Sequence, residues 1–141
     1  MEGEKKLSTI EKVLFLKFTA IFEHASIEEL GRVAAVAEEV RFGPGETIYR
    51  EGYPVDAVHM ILEGGVGVFK DEQLVREIGE GHPIGVLAAL EMNSALRTVK
   101  ALQPVRALKI TVQDFQDALS SDFELVKAVF RVLVEHIRQG F

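Results

Sequence analysis

Ile84-Gly85-Val86-Leu87-Ala88-Ala89-Leu90-Glu91-Met92-Asn93-Ser94-Ala95-Leu96-Arg97-Thr98-Val99-Lys100-Ala101-Leu102 carries more information than any other segment of the chain. It opens on a glycine, crosses an apolar run and ends at residues 98–102 in a short segment with the texture of a β-strand. That texture recurs on both sides, at residues 47–50, 57–62, 66–70, 74–78 and 105–110. Nine of the twelve glycines lie between Gly43 and Gly85 and punctuate these runs. Short strands separated by glycine turns predict an antiparallel sandwich or barrel. Asp71-Glu72-Gln73 reads as a hairpin loop between two of the strands, and Gly43-Pro44-Gly45, which cannot continue a helix, as the opening of the sheet region.

The flanks have a different period. Residues 8–39 are helical in pattern, with Ser26 and Glu29 forming a capping box. In such a box the hydroxyl accepts from an exposed helix amide and the carboxylate reaches back. Leu30, Val33, Ala34 and Ala37 then follow on one helical face. Beyond residue 111 the helical pattern returns. A short helix starts at Thr111 or Val112, runs to about Leu119 and breaks at Ser120-Ser121. Asp122 is an N-cap for a last helix ending near Gln139, with Gly140 as its terminator. The expected organisation is one unit over residues 1–141: helices at 8–39, strands at 41–111 and C-terminal helices at 112–139.

A chain of 141 residues is long enough for one domain with a true core and too short for two ordinary ones. Net charge is −6, and no run of five like charges occurs, which argues against binding of nucleic acid through phosphate neutralisation. The absence of cysteine excludes disulfides and thiolate metal sites and permits a reducing compartment. The N-terminus lacks the pattern of a secretory signal. The most apolar window, residues 13–22, contains Lys17 and falls short of the roughly 20 residues that cross a bilayer. A cytoplasmic protein without membrane insertion is the expectation.

The helix–strands–helix order, together with Phe42-Gly43-Pro44-Gly45-Glu46-Thr47-Ile48, Arg50-Glu51-Gly52, Met60-Ile61-Leu62-Glu63-Gly64 and the segment 84–102, resembles the cyclic nucleotide-binding domain family. The resemblance covers nearly the whole chain. It implies a mainly β fold, an antiparallel β-roll of the jelly-roll type, with an N-terminal helical bundle and C-terminal helices. It also implies that residues 84–102 correspond to the family's phosphate-binding cassette. There, a turn entering a short helix holds the cyclic phosphate, an arginine bonds its oxygens, and a glutamate accepts from the ribose 2′-hydroxyl. Threaded without gaps, Gly85 matches the cassette glycine and Thr98-Val99-Lys100-Ala101 the strand that follows. Val86 falls at the glutamate position and Ala95 at the arginine position.

The candidate ligand-binding residues are therefore Gly85, Val86, Leu87, Ala88, Ala95, Leu96, Arg97 and Thr98. Two readings of Arg97 stay open. In an extended segment it shares a face with Ala95 and reaches the same cavity; otherwise it is a rim or surface arginine. The functional expectation is a non-enzymatic regulatory or interaction module with weak or lost binding of cyclic AMP and cyclic GMP. The alternative is a sensor that holds a cyclic nucleotide or another anion through cassette amides and Arg97.

Catalytic patterns are lacking. His24, His59, His82 and His136 include no His-x-His pair and offer no set of three converging metal ligands. Ser94, Ser120 and Ser121 lack a Gly-x-Ser-x-Gly context, no Walker Gly-Lys-Ser/Thr is present, and Glu51, Glu63 and Glu91 read as turn and surface carboxylates. No cofactor is expected beyond the nucleotide itself. The last helix carries two apolar stripes, Val126-Val129-Phe130-Leu133-Ile137 and Leu125-Ala128-Val132, with Val134 outside the first. One stripe suffices for a helix lying on a single core. Either both stripes pack internally, or one meets a protein partner or a second copy, as this helix does in relatives. The helix-turn-helix that follows it in the family's transcription regulators has no room before Phe141, so the chain reads as a piece of a longer protein or a module acting through protein contacts.

Overall fold

The computed structural model describes residues 6–91 and 94–139. Helices α1 (Thr9–Lys17) and α2 (Ile27–Val36) precede strands β1 (Glu38–Phe42), β2 (Thr47–Tyr49), β3 (Ala57–Glu63), β4 (Val66–Lys70), β5 (Gln73–Ile78) and β6 (Pro83–Ile84). The short helix α3 (Val86–Glu91) separates them from β7 (Thr98–Ala101) and β8 (Val105–Thr111), and α4 (Val112–Ser120) and α5 (Phe123–Gln139) follow. All strand pairs are antiparallel, in two four-stranded sheets ordered β1-β8-β3-β6 and β2-β7-β4-β5. This is the expected β-roll with flanking helices.

Caps explain the helix starts. The Ser8 and Ser26 hydroxyls accept from Glu11 and Glu29 N–H, and both glutamates return a bond to the cap amide. Thr111 caps α4, and Asp122 caps α5 by accepting from the amides of Glu124 and Leu125. The Gly140 terminator lies outside the described residues.

Two hydrophobic clusters share the central strands. The first packs Leu16, Phe22, Leu30, Phe115 and Val129 of the helical layer on Met60 and Leu108. The second fills the space between the sheets with Ile61, Val66, Ile84, Val99, Val105 and Ala107. Because β3 is covered on both faces, it reads as a nearly continuous apolar run without polar alternation, whereas β8 carries Arg106 and Lys109 at half-buried positions. Strand β5, at a sheet edge, leaves Leu74 and Val75 exposed.

The sheet starts earlier than the sequence pattern indicates. Residues 38–39, read as helical, belong to β1 and pair with Lys109 and Leu108, so Gly43-Pro44-Gly45 lies between two strands instead of opening the sheet. The glutamates that look like a helix end are held by tertiary contacts. Glu39 accepts from Leu7 N–H at 2.9 Å and from Arg106 Nε and Nη2 at 2.9 and 2.8 Å. Burial pushes its carboxyl up, but these donors outweigh burial and hold it below the usual carboxylate value. Residues 18–26 interrupt the helical region and contain no helix.

The β4–β5 hairpin turns on Asp71 and Glu72, with φ of 51° and 68°. Both central residues are left-handed, as a type I′ turn requires, yet neither is glycine. Glu72→Gly relieves that strain and is expected to stabilise the fold by about 1 kcal/mol. An upward shift of the urea midpoint with unchanged slope is the result to look for; an unchanged midpoint argues against a strained turn.

Candidate functional site

The site is built around the turn at Gly85. Its φ is +86°, and a Cβ there would run into the hydroxyl and ring of Tyr49. Tyr49 ends β2, is 7% exposed, and sets its hydroxyl 2.8 Å from Ala57 O, 3.1 Å from Ile84 O and 2.8 Å from His59 Nδ1. A phenol has one proton to donate, and the two carbonyls can only accept. The contacts are best satisfied when the phenol donates to a carbonyl and His59 Nδ1–H donates to the phenol oxygen, the tautomer with Nε2 bare. This clasp joins β2, β3 and β6 directly before the turn. Beyond it, Ala89 N–H bonds Gly85 O at 3.0 Å, and Gln116 Nε2 of α4 donates to Ala89 O at 2.9 Å.

Next to the turn lies a cavity of about 280 Å³. Of the residues singled out from sequence, Gly85, Leu87, Ala88, Ala95, Leu96 and Arg97 line it. Val86 and Thr98 do not. Val86 is 4% exposed and packs in the helical-side core with Met60, Leu108 and Phe115, so its side chain does not make the mouth of the cavity apolar. Thr98 instead accepts from Glu51 N–H through its hydroxyl at 3.0 Å and lines a separate depression with Thr47, Arg50, Phe69 and Lys100. Ala95 is fixed by its backbone, donating to Tyr53 O at 2.9 Å and accepting from Gly52 N–H at 3.0 Å. Arg97 shares the cavity with Ala95, as the two-residue spacing allows, and its Nη1 donates to Leu96 O at 3.0 Å.

One lining residue escapes the sequence analysis. Arg76 of β5 enters the same cavity from the opposite sheet edge, and its Nη1 lies 3.4 Å from Gln139 Oε1 of α5. The Nε atoms of Arg76 and Arg97 are both buried without a hydrogen-bond partner. The cue was a lone cation in an otherwise edge-like strand, which in one dimension looks like a solvated arginine.

Burial governs the titration of the clasp. The Tyr49 hydroxyl is pushed well above its usual value, by burial first and by the Asp56 charge second. His59 is lowered to about 4, by burial first and then by Lys109, with Asp56 opposing. An unfolded histidine takes up its proton near pH 6.5. Between these values the unfolded chain holds more protons, so stability falls as pH drops from about 6.5 towards 4, by at most about 3 kcal/mol from this group. His59→Gln keeps a donor for the phenol oxygen but does not titrate; urea unfolding at pH 7 and pH 4.5 should show a smaller loss on acidification than in wild type. Equal losses would remove His59 from the clasp's acid sensitivity.

The other histidines do not converge. His82 Nδ1 lies 3.1 Å from Glu80 O, and among the described residues no group of three or more potential ligands could hold a metal ion. The side chain of His136 lies outside the described residues. No helix among the described residues is long and apolar enough to cross a membrane.

Comparisons with known proteins agree with this fold. The sensor domain of the transcriptional regulator DNR from Pseudomonas aeruginosa matches with a TM-score of 0.80 at 18% identity, over 93% of this chain and 91% of that one. Thermus thermophilus Catabolite Activator Protein gives 0.78 at 16%, over 86% and 60%. A triple mutant of the regulatory subunit of a cAMP-independent protein kinase A from Trypanosoma brucei, bound to cAMP in the A site, gives 0.78 at 24%, over 88% and 46%. At these identities the structures share the fold. Potassium channel SKOR of Arabidopsis thaliana is 25% identical over 134 residues, which is 89% of this chain and 16% of the channel. The chain spans between 16% and 28% of the length of the curated relatives it matches. The family model of the cyclic nucleotide-binding domain matches residues 39–122, more than half of the sequence and the whole of the cassette, and the chain belongs to that family.

Proposed function

We propose that the chain is a non-enzymatic regulatory or interaction module whose cassette binds cyclic AMP and cyclic GMP weakly or not at all. The observation that carries this reading is the lining of the cavity. Ala95 presents a methyl group where the family places an arginine, and no carboxylate lines the cavity among the described residues. A hydrogen bond to a charged group contributes about 1.5–3 kcal/mol. The missing ribose bond alone weakens binding by roughly tenfold to a hundredfold, and the phosphate is left to Arg97 or Arg76 in place of an arginine at position 95. The Trypanosoma brucei relative supports the reading by analogy, since its name couples a cAMP-independent regulatory subunit to a mutant that is bound to cAMP.

The output runs through protein contacts, in the cytoplasm and without nucleic acid. In α5, Leu125, Ala128, Val129 and Val132 are buried, whereas Phe123, Phe130, Val134 and Ile137 remain exposed. Those four recur at helical spacing and offer an apolar strip to a protein partner or a second copy.

Isothermal titration of cyclic AMP and cyclic GMP into wild type and Ala95→Arg tests the ligand half of this reading. Val86→Glu is no useful companion, because it buries a carboxylate in the core. Wild type should show no saturable binding at micromolar nucleotide, and the variant should gain at least about tenfold from the restored phosphate contact. Micromolar binding by wild type contradicts the proposal.

A further inference from the structure

We propose that the cavity beside Gly85 takes a small organic carboxylate with an apolar body, clamped by Arg76 and Arg97. The inference rests on the reading that a cyclic nucleotide is not the cavity's ligand, and it names the chemistry that fits instead.

Three observations converge. The first is charge. Arg76 of β5 and Arg97 of the segment before β7 both line the cavity, and no carboxylate is among its described lining residues, although Arg76 also borders a neighbouring depression with Glu77 and Glu135. The second is unmet hydrogen bonding. Both Nε–H groups are buried and unpartnered; Arg97 spends one Nη on Leu96 O, and Arg76 has only the 3.4 Å contact to Gln139. A buried donor without an acceptor is costly, more so on a charged group, and such a group calls for a partner. The third is shape. The remaining walls are apolar, among them Val55, Val68, Ile78, Ile84 and Val99 with Tyr49, and the volume of about 280 Å³ lies just below the usual range for small-molecule pockets.

A carboxylate satisfies these demands together. Its two oxygens offer about four lone-pair sites in one plane, enough for the Nε/Nη edge of one arginine and a bond from a second. A single ring or a branched aliphatic chain then covers the valine and isoleucine walls and removes them from water. A free phosphate meets the arginines but leaves those walls wet. A neutral molecule covers the walls but leaves both Nε donors unmet.

The test uses the intact chain and named probes: phenylacetate and 4-methylpentanoate as carboxylates, phenylacetamide as the neutral counterpart of the first, inorganic phosphate, and cyclic AMP. Binding is followed by titration calorimetry, and the location by amide shifts of Leu87, Ala88 and Val99. At least one carboxylate should saturate at micromolar to low-millimolar concentration with shifts at these amides, and should exceed both phenylacetamide and phosphate by at least about tenfold. Arg76→Gln and Arg97→Gln should each weaken it by a similar factor while circular dichroism stays unchanged. Failure of both carboxylates to saturate overturns the inference, as does equal binding of phenylacetamide or phosphate. The comparison with phenylacetamide needs no variant and stands even if a substitution unfolds the chain. Micromolar binding of cyclic AMP, by contrast, overturns the functional reading itself, and the carboxylate arms report separately on the clamp.

Discussion

A single buried hydroxyl holds the site in shape. Tyr49 Oη meets Ala57 O, Ile84 O and His59 Nδ1 within 3.1 Å, in a region where water does not compete. The cluster works only if every member is satisfied. The phenol proton serves the carbonyls, the imidazole Nδ1–H serves the phenol oxygen, and the imidazole must stay neutral to avoid a second proton in the core. Gly85 follows from the same constraint, since a side chain at its φ of +86° would displace the ring that ties the strands together. The turn and the strand before it are thus tied together by hydrogen bonds that do not involve the cavity's arginines.

That independence separates frame from chemistry. The family fold persists at 16–24% identity with the solved structures quoted above because it rests on two apolar clusters and backbone pairing, which tolerate many sequences. Arg76 and Arg97, which line the cavity, belong to neither cluster. At position 95 the backbone bonds to Tyr53 and Gly52 do not depend on the side chain, while the alanine methyl packs in the inter-sheet cluster at the cavity wall. Position 86 differs: valine there belongs to the helical-side core with Phe115 and Leu108, and its contribution is packing.

What could be read in advance follows from how local each signal is. The Ser26–Glu29 cap, the hairpin loop read at Asp71-Glu72-Gln73 and the glycine-bounded strands all act within a few residues, and they appear where the sequence places them, except that Gln73 already belongs to β5. Gly85 was legible through its motif, although the tyrosine that requires it lies 36 positions upstream in the chain. Strand β1 was hidden because Glu38 and Glu39 imitate a helix end, whereas their settings come from β8 and from Arg106, which are distant in sequence. Strand β6 is two residues long and has no period to detect. The direction of Val86 and the entry of Arg76 into the cavity are three-dimensional facts. Neither spacing nor composition distinguishes a valine facing the helices from one facing a ligand, or a clamping arginine from a solvated one.

Whether the Tyr49 clasp keeps the Gly85 turn in place is read from amide hydrogen exchange of the unliganded chain beside Tyr49→Phe. Removing the hydroxyl leaves two carbonyls and an imidazole N–H without their shared partner, so exchange at Ala89, whose amide bonds Gly85 O, should speed by about tenfold or more, while central β8 amides such as Leu108 change far less. Unchanged protection at Ala89 in the phenylalanine variant would contradict the account.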